Sequence, residues 1–260
     1  MNNSSFDKNS DIELNLTSIQ RLGPRTLMAN LSRSDGEQLI YCPGDYVSLM
    51  HDAFCEKLEF SLPIASHPSL LKKEGTIDVL FYLKYGSILN NLVYTPRPGF
   101  NLTLKGVHRG FKLREWGNKC FYLCVAEGPG ISFFSSLSPV LVRSFGSQIV
   151  QFTPEKNESF FDDLLNVFTS PTNNFKYTKI IDQNVSSGIS YIIPKEFNSV
   201  LERVEAQGAD IHVLIAGSKT FISSIKSVLI NKKFEHALSQ TFVCTDTQVI
   251  PEAMELSHDD

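Results

Sequence analysis

The sequence predicts two domains, a six-stranded antiparallel β-barrel followed by an α/β domain with a doubly wound parallel sheet. Residues 15–114 contain short apolar runs separated by turn residues, at the spacing that is typical of a small antiparallel barrel. Residues 115–246 instead alternate strand-like runs with amphipathic helical patterns, which is typical of a parallel sheet covered by helices. The change of period near Arg114 is the predicted domain boundary.

Composition limits the classes of partner. The chain has 260 residues and a net charge of −4, with 42% hydrophobic and 20% charged residues, which is ordinary for a globular protein. Because no basic field is present to attract phosphate backbones, we expect no nucleic-acid partner. The apolar runs are too short to span a bilayer and the N-terminus is no signal peptide, so we expect no membrane insertion and a cytoplasmic location.

Both ends of the chain are predicted to be tails. Residues 1–14 are rich in Asn, Ser and Asp, which predicts a disordered segment. Residues 247–260 are acidic and are predicted to be mobile. Together with the loop 170–174, these tails are the candidate surfaces for a protein partner, because exposed segments often become ordered on a partner.

The barrel is predicted from successive short runs. Strand-like residues occupy 26–31, 38–41, 46–49, 59–65, 77–84 and 101–106. Gly36 and the pair Pro43-Gly44 lie between these runs and predict tight turns. Their regular spacing predicts antiparallel neighbours joined by short loops.

The α/β domain is organised around one strand, turn and helix. Residues 120–126 form a continuous apolar run, which predicts a strand buried on both faces of a parallel sheet. Glu127-Gly-Pro-Gly130 follows and then helical spacing over 130–144, so the glycines permit a sharp turn into a helix N-terminus that can hold an anion. Further strands are predicted at 148–152, 176–181, 211–216 and 238–244, with helices at 158–168, 194–207 and 220–231.

Metal binding is not predicted from local spacing. The five cysteines are an odd number without a C-x-x-C pair, and the six histidines are scattered. Cys120 and Cys124 share one face of a predicted strand, where we interpret them as small buried hydrophobes rather than metal ligands.

Five segments, in this order along the chain, resemble motifs of the ferredoxin–NADP reductase superfamily. They are PGDYVSL at 43–49, FSLPIASHP at 60–68, GVHRGF at 106–111, AEGPGISF at 126–133 and IAGSKTF at 215–221. The resemblance implies a flavin-type, FAD-binding-like barrel followed by an NAD(P)-binding-like domain, and simple NAD(P)H-flavin reductases are the nearest in layout. It also implies FAD or FMN with NAD(P)H as cofactors, held at Ser66, Gly128, Gly130 and Gly217.

The barrel strand departs from the family pattern at its three flavin contacts. Aligned on the Ile-Ala-Ser that follows, Phe60 replaces the phosphate-binding arginine, Leu62 the stacking aromatic, and Pro63 the residue facing flavin N5. Phe60 has no charge with which to grip a phosphate, and Pro63 has no donor. A shifted alignment makes Ser61 the N5 partner and Phe60 the stacker, but it leaves Leu58 at the arginine position and breaks the Ile-Ala-Ser match.

The NAD(P)-binding-like domain departs from the family pattern as well. Glu127 replaces the first glycine of the turn, so a carboxylate lies where pyrophosphate would approach. Pro129 removes one N–H donor, and residues 151–155 contain no arginine where relatives hold the adenosine side. Ala216 stands where larger relatives carry a cysteine.

These departures favour a non-catalytic role. We therefore expect no cofactor, no catalytic residue and no metal, in a pseudoenzyme that acts as a scaffold or interaction subunit of a larger bacterial assembly, with homodimerisation left open. The alternatives are a cofactor-binding sensor without turnover and an NAD(P)H-flavin oxidoreductase with a divergent active site, which would use Ser66, Gly128, Gly130 and Gly217. We also expect the cleft between the domains to be narrowed by Phe60, Leu62 or Phe133.

Overall fold

The fold is taken from a computed structural model of the chain. It describes residues 11–22, 26–53, 56–67, 75–82, 101–113, 119–153, 162, 165, 174–181, 195–206, 208–244 and 249–251. The predicted helix 158–168 and the candidate partner loop 170–174 lie almost entirely outside these residues.

The first six strands form one antiparallel sheet in the order β4-β3-β6-β1-β2-β5. They are β1 (Ile12–Arg21), β2 (Thr26–Arg33), β3 (Tyr46–Ala53), β4 (Glu56–Pro63), β5 (Thr76–Tyr82) and β6 (Asn101–His108). An isolated antiparallel bridge between Ile64 and Val79 brings the two outer strands of the sheet together. The predicted six-stranded antiparallel barrel is confirmed.

The barrel interior explains where its first strand begins. β1 starts at Ile12, inside the segment 1–14 that the sequence predicted to be disordered, and Leu14 is fully buried in the barrel core. The predicted run at 38–41 is not a strand, although Leu39 and Tyr41 are buried there. Apolar side chains therefore tie both segments to the barrel.

The second sheet has the order β12-β11-β10-β7-β8-β9. Its strands are β7 (Cys120–Glu127), β8 (Gly146–Thr153), β9 (Phe175–Ile181), β10 (Asp210–Gly217), β11 (Leu238–Cys244) and β12 (Val249–Pro251). The pairings from β9 to β11 are parallel, and β12 pairs antiparallel with β11. The predicted parallel sheet is confirmed, and β12 is an additional edge strand inside the segment 247–260, where Val249 is buried.

Helices cover both faces of this sheet. They are α1 (Ile131–Leu141), α2 (Lys195–Glu205) and α3 (Lys219–Asn231). Every residue of β7 and β8 is buried, because α1 packs on one face and α2 and α3 pack on the other. Within the described ranges, no helix combines the length and the apolar character needed to cross a membrane.

A glycine turn of the barrel fastens the two domains together. Gly44 has a φ of 84°, and its N–H donates to Ser136 Oγ of α1 at 2.9 Å. The Gly44 carbonyl accepts from the N–H of Phe111 at 3.1 Å. Gly110 packs so closely that a Cβ added there would lie 1.8 Å from the Gly44 oxygen. Only glycine fits at residue 110, since the obstacle is backbone and not a flexible side chain.

The buried carboxylate of Asp45 completes this turn. Its carboxylate accepts from the N–H groups of Cys42 at 2.8 Å and Gly110 at 3.3 Å, and it pairs with Arg109 at 3.2 Å. Desolvation raises the pKa of Asp45, although these donors and Arg109 act in the opposite direction. The buried carboxylate therefore holds the two glycine segments in one arrangement.

We predict that Gly110→Ala destabilises the protein by about 3 kcal/mol, because the added methyl group must displace the Gly44 backbone. The control is Gly36→Ala, where φ is 76° and a Cβ would meet nothing within 4 Å. That control costs only the left-handed backbone strain, about 1–2 kcal/mol. Chemical denaturation measures both values, and equal losses would contradict the proposed tight contact.

Candidate functional site

The carboxyl edge of the parallel sheet carries a glycine turn between β7 and α1. Residues Gly128–Gly130 form one 3₁₀ turn, with Pro129 in its first positions. Gly128 has a φ of 52° and nothing within 4 Å of where a Cβ would stand. Gly130 differs, since a Cβ there would lie 2.5 Å from the Ala216 carbonyl oxygen of β10. Gly128 thus borders open space, and Gly130 permits close backbone packing.

A buried carboxylate occupies this edge. Glu127 is 7% exposed, and its Oε2 accepts from Ser218 N at 2.7 Å and from Ser218 Oγ at 2.6 Å. Ser218 is the N-cap of α3, and its hydroxyl also accepts from the N–H of Phe221 at 3.3 Å. The positive end of the α3 dipole therefore already holds an anion, supplied by the protein itself.

Cys244 lies beside this carboxylate. Burial raises the pKa of its thiol, and the neighbouring negative charge of Glu127 adds to the increase. The thiol comes from β11, the strand next to β10, where Ala216 replaces the family's cysteine. It is a neutral group at physiological pH, because its charged form is disfavoured by both effects.

The outer face of the barrel presents an aromatic and hydroxyl surface, which we call the outer barrel face: Tyr46, Ser48, Ser61 and His108. Ser48 Oγ lies 3.1 Å from Ser61 Oγ and 2.9 Å from His108 Nε2. The rings of Tyr46 and His108 stack, with centroids 5.0 Å apart and an interplanar angle of 24°. Strand register explains the grouping, since Tyr46 pairs with His108, and Ser48 pairs with Ser61.

The other face of β4 holds Phe60 and Leu62, two of the three residues that were predicted to narrow the cleft between the domains. Phe60 and Leu62 are each 1% exposed and lie in the barrel core, where Phe60 packs 5.9 Å from Phe81. Neither residue narrows the cleft between the domains, because alternate residues of a strand point to opposite faces. Under both sequence alignments, the residue assigned as the flavin stacker points into the barrel, whereas Ser61 of the shifted alignment points outward.

The outer barrel face meets the carboxyl edge of the parallel sheet. Tyr46 lies 6.2 Å from Phe242 of β11 and 6.4 Å from Phe133 of α1, both in edge-type contacts. Phe242 is the register partner of Ala216, which immediately precedes Gly217. Phe133, the third residue that the sequence analysis named for this cleft, is fully buried in the seam between the domains.

The predicted cofactor residues fall into two groups. Gly128, Gly130 and Gly217 lie together, and a Cβ at Gly217 would be 2.9 Å from Glu127 Cβ. Ser66 is 6% exposed and is engaged within the barrel. Its Oγ accepts from Asp78 N at 2.9 Å, and its carbonyl accepts from the Tyr41 hydroxyl at 2.9 Å. These contacts give Ser66 a structural role, and no contact described here joins it to the glycines.

β9 carries a lysine beside β8, the strand whose residues 151–153 begin the segment that lacks the family's arginine. Lys179 Nζ of β9 pairs with Asp162 Oδ2 at 3.0 Å. Tyr177 OH lies 2.6 Å from both Asp162 Oδ1 and Gln151 Oε1. Burial and Asp162 together raise the pKa of Tyr177, so its hydroxyl stays a hydrogen-bond donor.

Sequence reasoning missed Tyr46, His108 and Ser218 as site residues. Tyr46 falls inside the PGDYVSL segment and His108 inside the GVHRGF segment, and neither segment indicates by itself which side chains pair across the strands. The helix-capping position of Ser218 at the start of α3 was readable from the sequence, but its contact with Glu127 joins residues 91 positions apart. No local spacing could indicate that contact.

Comparisons with known proteins agree with this architecture. No family model matches the sequence. The chain is 20% identical over 224 residues to the toluate 1,2-dioxygenase electron transfer component of Pseudomonas putida, covering 82% of this chain and 62% of that protein. It thus spans less than two thirds of the length of this curated relative.

Solved structures resemble the chain over most of its length. A ferredoxin-NADP+ reductase from Plasmodium falciparum has a TM-score of 0.72 at 15% identity, covering 90% of this chain and 96% of that one. A ferredoxin NADP+ reductase from Neisseria gonorrhoeae with bound FAD and NADP has a TM-score of 0.64 at 14% identity, covering 85% and 90%. The resemblance to the ferredoxin–NADP reductase superfamily is confirmed, at the level of the fold.

The prediction that the protein carries no cofactor is wrong. The structure from Neisseria gonorrhoeae, which has the same fold, holds FAD and NADP, so the fold gives no ground for expecting the cofactors to be absent. The prediction relied in part on the motif positions of β4, and β4 turns two of those side chains into the barrel core. Their identity therefore says little about the outer barrel face.

We predict that Ser218→Ala destabilises the protein by about 2 kcal/mol, because α3 loses its N-cap and the buried Glu127 carboxylate loses one of its two Ser218 donors. The control is Ser224→Ala on the exposed part of the same helix, where the hydroxyl only donates to the Thr220 carbonyl. That control should change stability by less than about 0.5 kcal/mol. Equal effects in thermal denaturation would show that the Glu127 contact contributes nothing.

Proposed function

We propose that this chain is a reductase-type electron-transfer protein that binds a flavin and NAD(P)H and works with a protein partner. The observation that carries the proposal is the contact of Tyr46 with Phe242, which brings the outer barrel face to the carboxyl edge of the parallel sheet. Ligands of open α/β sheets gather beyond the carboxyl ends of the strands. The two proposed ligand surfaces therefore meet at one seam.

The outer barrel face has the chemistry to receive an isoalloxazine ring. Tyr46 and His108 supply aromatic surface, and flat rings stack favourably on such side chains. The hydroxyls of Ser48 and Ser61 can donate to ring nitrogens or oxygens along one edge. A bound flavin would supply the ability to accept a hydride and release electrons, and these residues would bind and orient it.

The carboxyl edge suits a nicotinamide better than a phosphate. A phosphate at the N-terminus of α3 would compete with the Glu127 carboxylate and would be repelled by it. The Glu127 carboxylate would stabilise positive charge on a nicotinamide bound at this edge, and such charge is what hydride donation from that cofactor requires. Gly128, which borders open space, leaves an approach to this edge from the β7 turn.

A protein partner is the second part of the proposal. The curated relative is described as an electron transfer component of a dioxygenase, and the chain matches 62% of its length. The role as an interaction subunit that the sequence favoured is kept in this form. It is combined with redox chemistry and no longer with loss of the cofactors.

We predict that the purified protein, incubated with FAD or FMN and desalted, retains flavin absorbance in the visible range. Anaerobic addition of NADH or NADPH should bleach that absorbance. Ser61→Ala should weaken flavin binding about three- to tenfold, the loss expected for one hydrogen bond. Fluorescence titration measures the affinity, and stopped-flow absorbance measures the reduction.

The matched control is Ser224→Ala, since that hydroxyl lies on α3 and bonds within its own helix. It should leave flavin affinity and reduction unchanged. Absence of saturable binding by both flavins would overturn the proposal. Binding with equal affinity in Ser61→Ala and the parent would keep the flavin but remove the outer barrel face as its site.

A further inference from the structure

A cluster of three different ligand types lies at the opposite end of the parallel sheet, where β7 and β10 begin. Cys120 is the first residue of β7 and Asp210 the first of β10, and the two are register partners. His212 follows two residues later on the same face of β10. One ligand atom from each residue lies within 4.8 Å of the others.

The hydrogen bonds of His212 define its tautomer. Its Nδ1 lies 3.0 Å from Ser239 Oγ, and that hydroxyl donates its single proton to the Ala237 carbonyl at 3.1 Å. Ser239 Oγ must therefore accept, so Nδ1 carries a proton. In a neutral imidazole, Nε2 is then the atom with the free lone pair, which is the form that binds metals.

That lone pair points into the cluster without a hydrogen-bond partner. His212 is 5% exposed, and its Nε2 is buried and unsatisfied among the described residues. The atom lies 3.2 Å from Asp210 Oδ2, at a geometry that makes no hydrogen bond. A lone pair facing a carboxylate oxygen is repulsive unless a positive charge lies between them. A cation placed between Nε2 and the carboxylate oxygen would therefore be attracted by both atoms.

We propose that Cys120, Asp210 and His212 bind a divalent cation of the zinc class. Thiolate, imidazole and carboxylate are the three ligand types that Zn²⁺ takes in proteins, and softer metals are selected by the sulfur. Three protein ligands leave a fourth position, which water can fill because Asp210 is exposed. Ser239 would act as the outer partner that orients the imidazole.

Such an ion would link the first residues of β7 and β10, at the start of the α/β domain. The N–H of Asp210 already donates to the Lys119 carbonyl at 3.0 Å, immediately before β7. Metal ligation by Cys120 and Asp210 would add a second link between the same two strands. The site is separate from the Glu127 edge, since it lies at the amino ends of the strands.

The test uses the full-length protein stripped with a chelator and titrated with Co²⁺ and with Zn²⁺. One equivalent of Co²⁺ should produce the charge-transfer absorption of thiolate-bound cobalt together with the bands of a tetrahedral ion. Zn²⁺ should displace it and raise the thermal midpoint. Cys120→Ser should abolish the charge-transfer band, and Asp210→Asn should weaken binding.

Ser239→Ala separates metal binding from a merely packed cluster, because it should lower Zn²⁺ affinity about 10- to 100-fold while the three ligands remain. The controls are Cys42→Ser and Asp52→Asn, an exposed thiol and an exposed carboxylate of the barrel, which should change nothing. Absence of a thiolate band at stoichiometric Co²⁺ would overturn the proposal.

Discussion

The structure depends on one backbone contact, the approach of Gly110 to the carbonyl of Gly44. It leaves no room for a side chain at residue 110, and the same Gly44 donates to Ser136 of α1. The Gly44 turn is thus in close contact both with Gly110 and with the helix α1. Tyr46 follows this turn by two residues and contacts Phe242 of β11, so the turn lies beside the seam where both ligands are proposed to bind.

Much of the fold could be predicted because local pattern and global architecture agree. The buried run of β7, the glycine turn and α1 were readable from adjacent residues, and the motif order gave the two domains. The ends of the strands were harder to predict from the sequence, because Leu14 and Val249 lie in segments whose average composition is polar. Single buried side chains extended β1 and created β12 beyond the predicted limits.

The site was less predictable, for two physical reasons. Leu58, Phe60, Leu62 and Ile64 alternate with Glu59, Ser61 and Pro63, and this alternation assigns the apolar set to the barrel core. Motif alignment placed Phe60 and Leu62 against the flavin, whereas the alternation places them inside. The second reason is distance in sequence. Glu127 is satisfied by Ser218, and Cys120 meets His212, so neither environment could be derived from neighbouring residues.

The central claim is that the outer barrel face is the flavin surface, and hydrogen–deuterium exchange tests it most directly. We expect FAD to slow exchange at the backbone amides around Tyr46, Ser48 and His108, while those of β9 at the far edge of the parallel sheet stay unchanged. Equal exchange with and without saturating FAD at these three residues, or protection confined to other strands, would contradict the account.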